Sequence, residues 1–125
     1  MKLHLNPTAG LYAFTSYGEG FVLVNGQRHE HNLLVLPDHL EANWLVGGFA
    51  ELTGGHFEAL AAHRPDLVLL GTGNRLRFPP PSLYAGLIGQ GIGVEIMDLG
   101  AACRTFNFLS AEGRRVAAAL ILQES

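Results

Sequence analysis

Asp66 to Leu70 ends in the run Leu67-Val68-Leu69-Leu70, which has no polar face. A strand with one wet side alternates apolar and polar residues. A continuous apolar strand has to be covered on both sides, as parallel strands in α/β proteins are. The segments that follow supply the cover. Ser82 to Gln90 carries Leu83, Leu87 and Ile88 on one helical stripe, and Gly91 sits where helices end. Ile92 to Met97 reads as a strand and Ala101 to Leu109 as a helix. The alanines of Val116 to Leu122 suit a helix, but a last strand beside the central ones buries this segment better, and it is assigned as a strand. Strand, helix, strand, helix, strand makes a small three-layer α/β unit.

The first part of the chain has a different texture. Leu11 to Ser16 reads as a strand, Tyr17-Gly18-Glu19-Gly20 as a turn and Phe21 to Val24 as a second strand. Asn25-Gly26 then signals a type I′ hairpin, because that turn needs positive φ at both central positions. The next strand is expected to run from Gln27 to Leu36, where Pro37 stops it. Trp44-Leu45-Val46 suits a further strand before Gly47-Gly48. His56 to His63 is expected to be a short helix with Phe57, Leu60 and Ala61 on one side, blocked by Pro65. The expected architecture is one α/β domain over residues 1–125. It has an antiparallel β-meander preface over 1–50 and a βαβαβ unit over 51–125.

Totals narrow the function classes. With 48% apolar and 15% charged residues, the chain suits a compact fold. A net charge of −3 and the lack of any basic run argue against nucleic acid as a partner. Cys103 is the single cysteine, so no intrachain disulfide and no multi-cysteine metal site can form. The opening MKLHLNPTAG lacks the pattern of a signal or transit peptide, and no apolar run approaches the roughly 18 residues of a membrane span. A cytoplasmic location is expected.

Gly71-Thr72-Gly73, at the end of the apolar strand, is the first candidate for chemistry. A dinucleotide fingerprint needs a third glycine where Leu76 stands, and a helix without the delay of Pro79-Pro80-Pro81. No Walker signature is present. A tight exit from the sheet explains the glycines, yet such exits also form the rims of pockets. Gly100-Ala101-Ala102-Cys103 opens the third helix, where backbone N–H groups can hold an anion or activate a thiol. No base lies near Cys103 in the sequence, and a buried structural cysteine is the simpler reading. Arg104, Asn107, Arg114 and Arg115 either tie the helix to its neighbours or face a shared pocket. His29-Glu30-His31 sets two imidazoles about 7 Å apart on one face of an expected strand. No third ligand is evident, His4, His39, His56 and His63 show no ligand spacing, and neither a metal nor a cofactor is expected.

LVLLGTG, followed by GIGVEIMDLGAACRTFNFLSAEGRRVAAALI, resembles the Mth-type family of uncharacterised proteins. That family includes the mitochondrial complex I assembly factor 3 and the adipogenesis-associated Mth-type domain protein. The match runs from about Pro65 to Leu122. It rests on Gly71-Thr72-Gly73, the segment from Met97 through Ala102-Cys103, Thr105-Phe106-Asn107 with Leu109, and Glu112-Gly113-Arg114-Arg115, in order and spacing. Leu99 stands where the family often has threonine. The resemblance implies a mixed central sheet with an antiparallel last strand. It implies no enzymatic activity, and it points to other proteins as partners, with homodimerisation left open.

Two strand exits on one sheet edge would frame a crevice between Gly71-Thr72-Gly73 and the segment Gly100, Cys103, Arg104 and Asn107. Its expected ligand is an anion or a partner's carboxylate. A small-ligand binder or an enzyme using that crevice is the alternative to an interaction module.

Overall fold

The computed structural model describes residues 11–123. Met1 to Gly10, including His4, lie outside the described residues. Two sheets form. β1 (Phe14–Gly18), β2 (Phe21–Val24) and β3 (Gln27–His29) make a three-stranded antiparallel meander. A five-stranded sheet holds β4 (Leu33–Leu36), β5 (His39–Ala42), β6 (Leu67–Gly71), β7 (Gly93–Met97) and β8 (Val116–Leu120), in the spatial order β5-β4-β8-β6-β7. The helices are α1 (Gly54–Ala61), α2 (Ala85–Gly89) and α3 (Leu99–Ala111). Among the described residues no helix is long and apolar enough to cross a membrane.

The apolar runs dictate the layers. Every residue of β4 and of β8 is buried. Alternation along the strands sends Leu33, Val35, Val116, Ala118 and Leu120 to one core, shared with α3 and the meander. Leu34, Leu36, Ala117 and Ala119 go to a second core, with Phe57 and Leu60 of α1, Leu87 of α2, and Trp44 and Leu45. The central sheet is thus the middle of three layers. β6 runs parallel to both β7 and β8, while β4 is antiparallel to β8 and to β5. The sheet is mixed, as expected. The last strand is antiparallel only to β4, which corrects the expectation of an antiparallel last strand. The chain steps from β6 to β7 through α2 on one face, then back past β6 to β8 through α3 on the other. Opposite steps require opposite faces if both crossovers keep the right hand.

Two strand assignments from the sequence are corrected. Gln27 to Leu36 is not one strand: β3 ends at His29 and β4 begins at Leu33, in a different sheet. Trp44-Leu45-Val46 is irregular, not extended into a strand. Asn32 accounts for both. Its buried amide donates to the carbonyls of Leu45 (2.9 Å) and Gly47 (2.7 Å) and accepts from the N–H groups of Leu122 (2.8 Å) and Gln123 (3.1 Å). Its own carbonyl accepts from Asn43 N–H at 2.7 Å. The side chain thereby pins the start of β4 to the Leu45–Gly47 segment and to the residues after β8.

Other boundaries shift modestly. Asp98 caps α3, its carboxylate accepting from Ala101 N–H at 2.9 Å, so the helix starts at Leu99 instead of Ala101. The expected helix over Ser82 to Gln90 divides into a 3-10 turn at Pro81–Leu83 and the short α2, and Ile88 is left exposed.

The hairpin turn between β2 and β3 is of the expected kind. Asn25 has φ +48° and Gly26 φ +84°. The Asn25 amide also holds the segment that leads into β1, accepting from Ala13 N–H and donating to the Leu11 carbonyl. Gly26→Val puts a β-branched side chain in the left-handed region. It should lower unfolding stability by about 1–3 kcal/mol in urea titrations. An unchanged midpoint would mean that the turn tolerates branching by relaxing.

Candidate functional site

β6 and β7 are parallel, with Gly71 opposite Met97, so both chains leave the sheet on the same edge. From there they part. β6 leads to the face that carries α2 and β7 to the face that carries α3. Parallel sheets open a crevice outside the carboxyl ends of two such strands. The backbone stitches its floor: Thr72 N–H donates to the Met97 carbonyl (2.9 Å) and Leu99 N–H to the Gly73 carbonyl (2.8 Å). A depression of about 330 Å³ lies above, lined by Tyr17, Gly18, Glu19, Gly73, Asn74, Asp98, Leu99, Gly100 and Arg104.

Of the seven residues singled out from sequence, Gly73, Gly100 and Arg104 line this depression. The other four have packing or bonding roles elsewhere. Gly71 is packed so closely that a Cβ there would lie 2.8 Å from Leu120 Cδ2 and 3.1 Å from Ala102 Cβ. Its lack of a side chain lets α3 approach the sheet. Thr72 is buried, and its hydroxyl donates to the Arg75 carbonyl (2.8 Å) and accepts from Arg77 N–H (3.1 Å), folding the following loop back on itself. Asn107 faces the meander. Its amide accepts from Phe14 N–H (2.9 Å) and donates to the Phe14 carbonyl (2.8 Å), clamping β1 to α3. Cys103 is fully buried in the core beneath α3.

The polar character of the depression follows from these positions. Three of the first four N–H groups of α3 have partners: Leu99 with Gly73, Ala101 with the Asp98 carboxylate and Ala102 with the Asp98 carbonyl. The positive end of the helix already has its carboxylate. The Arg104 guanidinium, exposed to solvent, donates to the Tyr17 hydroxyl across the rim. Asn74 reaches Glu19 at 3.3 Å and so links the loop after β6 to the β1–β2 turn. One cation, two carboxylates and an amide therefore surround the opening. Tyr17, Glu19, Asn74 and Asp98 escaped the sequence reading. Tyr17 and Glu19 arrive through packing of the meander against α3, a contact with no local sequence signal.

Burial pushes the Cys103 thiol up to about 12, the dominant cause being desolvation of the thiolate. Such a thiol is no nucleophile at neutral pH. Cys103 should resist maleimide or iodoacetamide at pH 8 in the folded protein and react once denatured. Because the folded pKa is raised, its contribution to stability is present below the unfolded value of about 8.5 and is lost as pH climbs toward 12. Rapid labelling of the folded chain would contradict this.

The other candidate group also resolves. The strand ends at His29, so alternation does not carry on to His31. Glu30 pairs with Arg28, whose guanidinium holds its carboxyl below the usual range.

Residues 14–121 match the family described as "Protein of unknown function (DUF498/DUF598)". The chain belongs to the DUF498/DUF598 family. Its fold fits that placement. A solved protein of Bordetella parapertussis superposes with a TM-score of 0.84 at 39% identity, covering 92% of this chain and 98% of that one. A Bordetella pertussis protein described as an Mth938-like domain gives a TM-score of 0.81 at 32% identity, covering 100% and 94%. The resemblance to the Mth-type family is borne out. The NADH dehydrogenase [ubiquinone] 1 alpha subcomplex assembly factor 3 of Bos taurus is 36% identical over 113 residues, 89% of this chain and 60% of that protein. The DUF498/DUF598 domain thus spans a little under two thirds of the assembly factors it matches.

Proposed function

We propose that this DUF498/DUF598 protein is a non-catalytic interaction module of the assembly-factor kind. Its docking point is the crevice between the β1–β2 turn, Gly73 and the start of α3. The observation that carries the reading is the mixed polarity of that crevice. Arg104, Asp98, Glu19 and Asn74 surround a shallow opening. Such a set suits a polar segment of another protein, with Arg104 taking a carboxylate. It suits a free anion less well, because Asp98 already occupies the helix start. The similarity to proteins named as assembly factors supports the reading. So does the burial of Cys103. A cytoplasmic location belongs to the same reading, supported by a single cysteine kept as a thiol.

The test is capture from extracts of the native cell, with the full chain as bait and Arg104→Glu in parallel. Mass spectrometry should find a protein retained near stoichiometry by the wild type and lost with the variant. A small molecule retained in place of a protein would favour the alternative, a ligand-binding crevice. In that case crystals soaked in sulfate or phosphate should show the anion beside Arg104.

A further inference from the structure

At the far edge of the central sheet, away from the crevice, three side chains meet that the sequence keeps apart. β5 is an edge strand, and its alternation puts His39 and Glu41 on one face. His63, in the turn after α1, lies over that face. His39 Nε2 is 3.3 Å from Glu41 Oε1, and His63 Nε2 is 3.9 Å from the same oxygen. The two imidazoles lie 4.8 Å apart at 31°. We propose that His39, Glu41 and His63 form a binding site for a divalent first-row metal ion of the zinc class. Two imidazole nitrogens and a carboxylate oxygen form a three-ligand set that such ions take.

The distances fit. Ligand atoms around a tetrahedral ion with bonds of about 2.1 Å stand about 3.4 Å apart. The three candidate ligand atoms lie within 4.8 Å of one another, so small rotamer adjustments close the set. The frame is already held. Arg115 Nε donates to the His63 carbonyl (2.9 Å), and its Nη1 donates to Asp38 Oδ1 (2.9 Å), the residue before His39. One guanidinium thus ties the His63 backbone to the side chain next to His39. Asp38 offsets the charge of Arg115, and Glu41 leaves the cluster net negative when the imidazoles are neutral. His39 and Glu41 are about half exposed, at 43% and 48%. The site faces solvent, and its fourth position is open to water.

Isothermal titration of the full chain with Zn²⁺ tests this. The expected result is one saturable equivalent, weakened at least tenfold by each of His39→Gln, Glu41→Gln and His63→Gln. Co²⁺ should give a visible absorption band that the His39→Gln/His63→Gln double variant loses. His29→Gln/His31→Gln should leave both signals unchanged. These side chains are partly exposed, so circular dichroism should show every variant folded. Absence of a saturable equivalent, or full affinity in the His39/His63 double variant, overturns the proposal.

Discussion

Asn32→Ala should destabilise the protein by about 4 kcal/mol, a large part of the 5–15 kcal/mol that typically separates folded from unfolded domains. The residue is fully buried, and its side chain makes four hydrogen bonds, each to a backbone group. Alanine leaves two carbonyls and two N–H groups without that partner. Each unsatisfied buried group costs about 1–3 kcal/mol, less where water can reach it. The segments released are the turn after Trp44 and the residues that follow β8. Urea unfolding should show the loss directly. Asn32→Asp should not rescue it: one carboxylate oxygen can still accept from Leu122 and Gln123, but the other then faces two carbonyls. An alanine variant within about 1 kcal/mol of wild type would show that this network is replaceable by water.

Phe106→Ala should cost a similar amount, about 3–5 kcal/mol. Phe106 is fully buried on α3 and meets Phe14 edge to face, with centroids 5.2 Å apart and planes at 78°. It is where the helix, the meander and the central sheet converge. Removing the ring opens a cavity between three elements that cannot all collapse toward one another. A fall in Tm of roughly 10–20 °C is expected for a chain of this size. Phe106→Leu should lose much less. Equal losses from leucine and alanine would assign the cost to the aromatic pair, not to the cavity.

The second half of the fold was legible because its signals are local. The apolar run of β6, the stripe of α2 and the burial demand of β8 each lie within one segment. The pairing of the two strand exits followed from crossover handedness. What stayed hidden depends on residues far apart in sequence. Asn32 interrupts an apparently continuous strand because it bonds to residues near both 45 and 122. Asn107 turns toward Phe14, and Tyr17 reaches Arg104, through packing alone. His39 and His63 showed no ligand spacing because one lies on a strand and the other beyond a helix. The family resemblance located the block that builds the crevice, yet within that block Gly71, Thr72, Cys103 and Asn107 serve the scaffold.

The position of β8 bears on how the protein can be made. Both of its neighbours, β4 and β6, precede it in the chain, and on the side of Leu33 away from Ala42 the partner is Leu120. While the polypeptide is still emerging from a ribosome, each of those strands carries a bare inner edge of apolar residues with nothing to pair with. The central sheet therefore closes in a single late step, after a long loop has been brought round, which is slow compared with closing a hairpin. Until then the nascent chain presents the kind of edge that invites pairing with other chains. Synthesis halted before Val116 yields an open sheet instead of a smaller version of this domain.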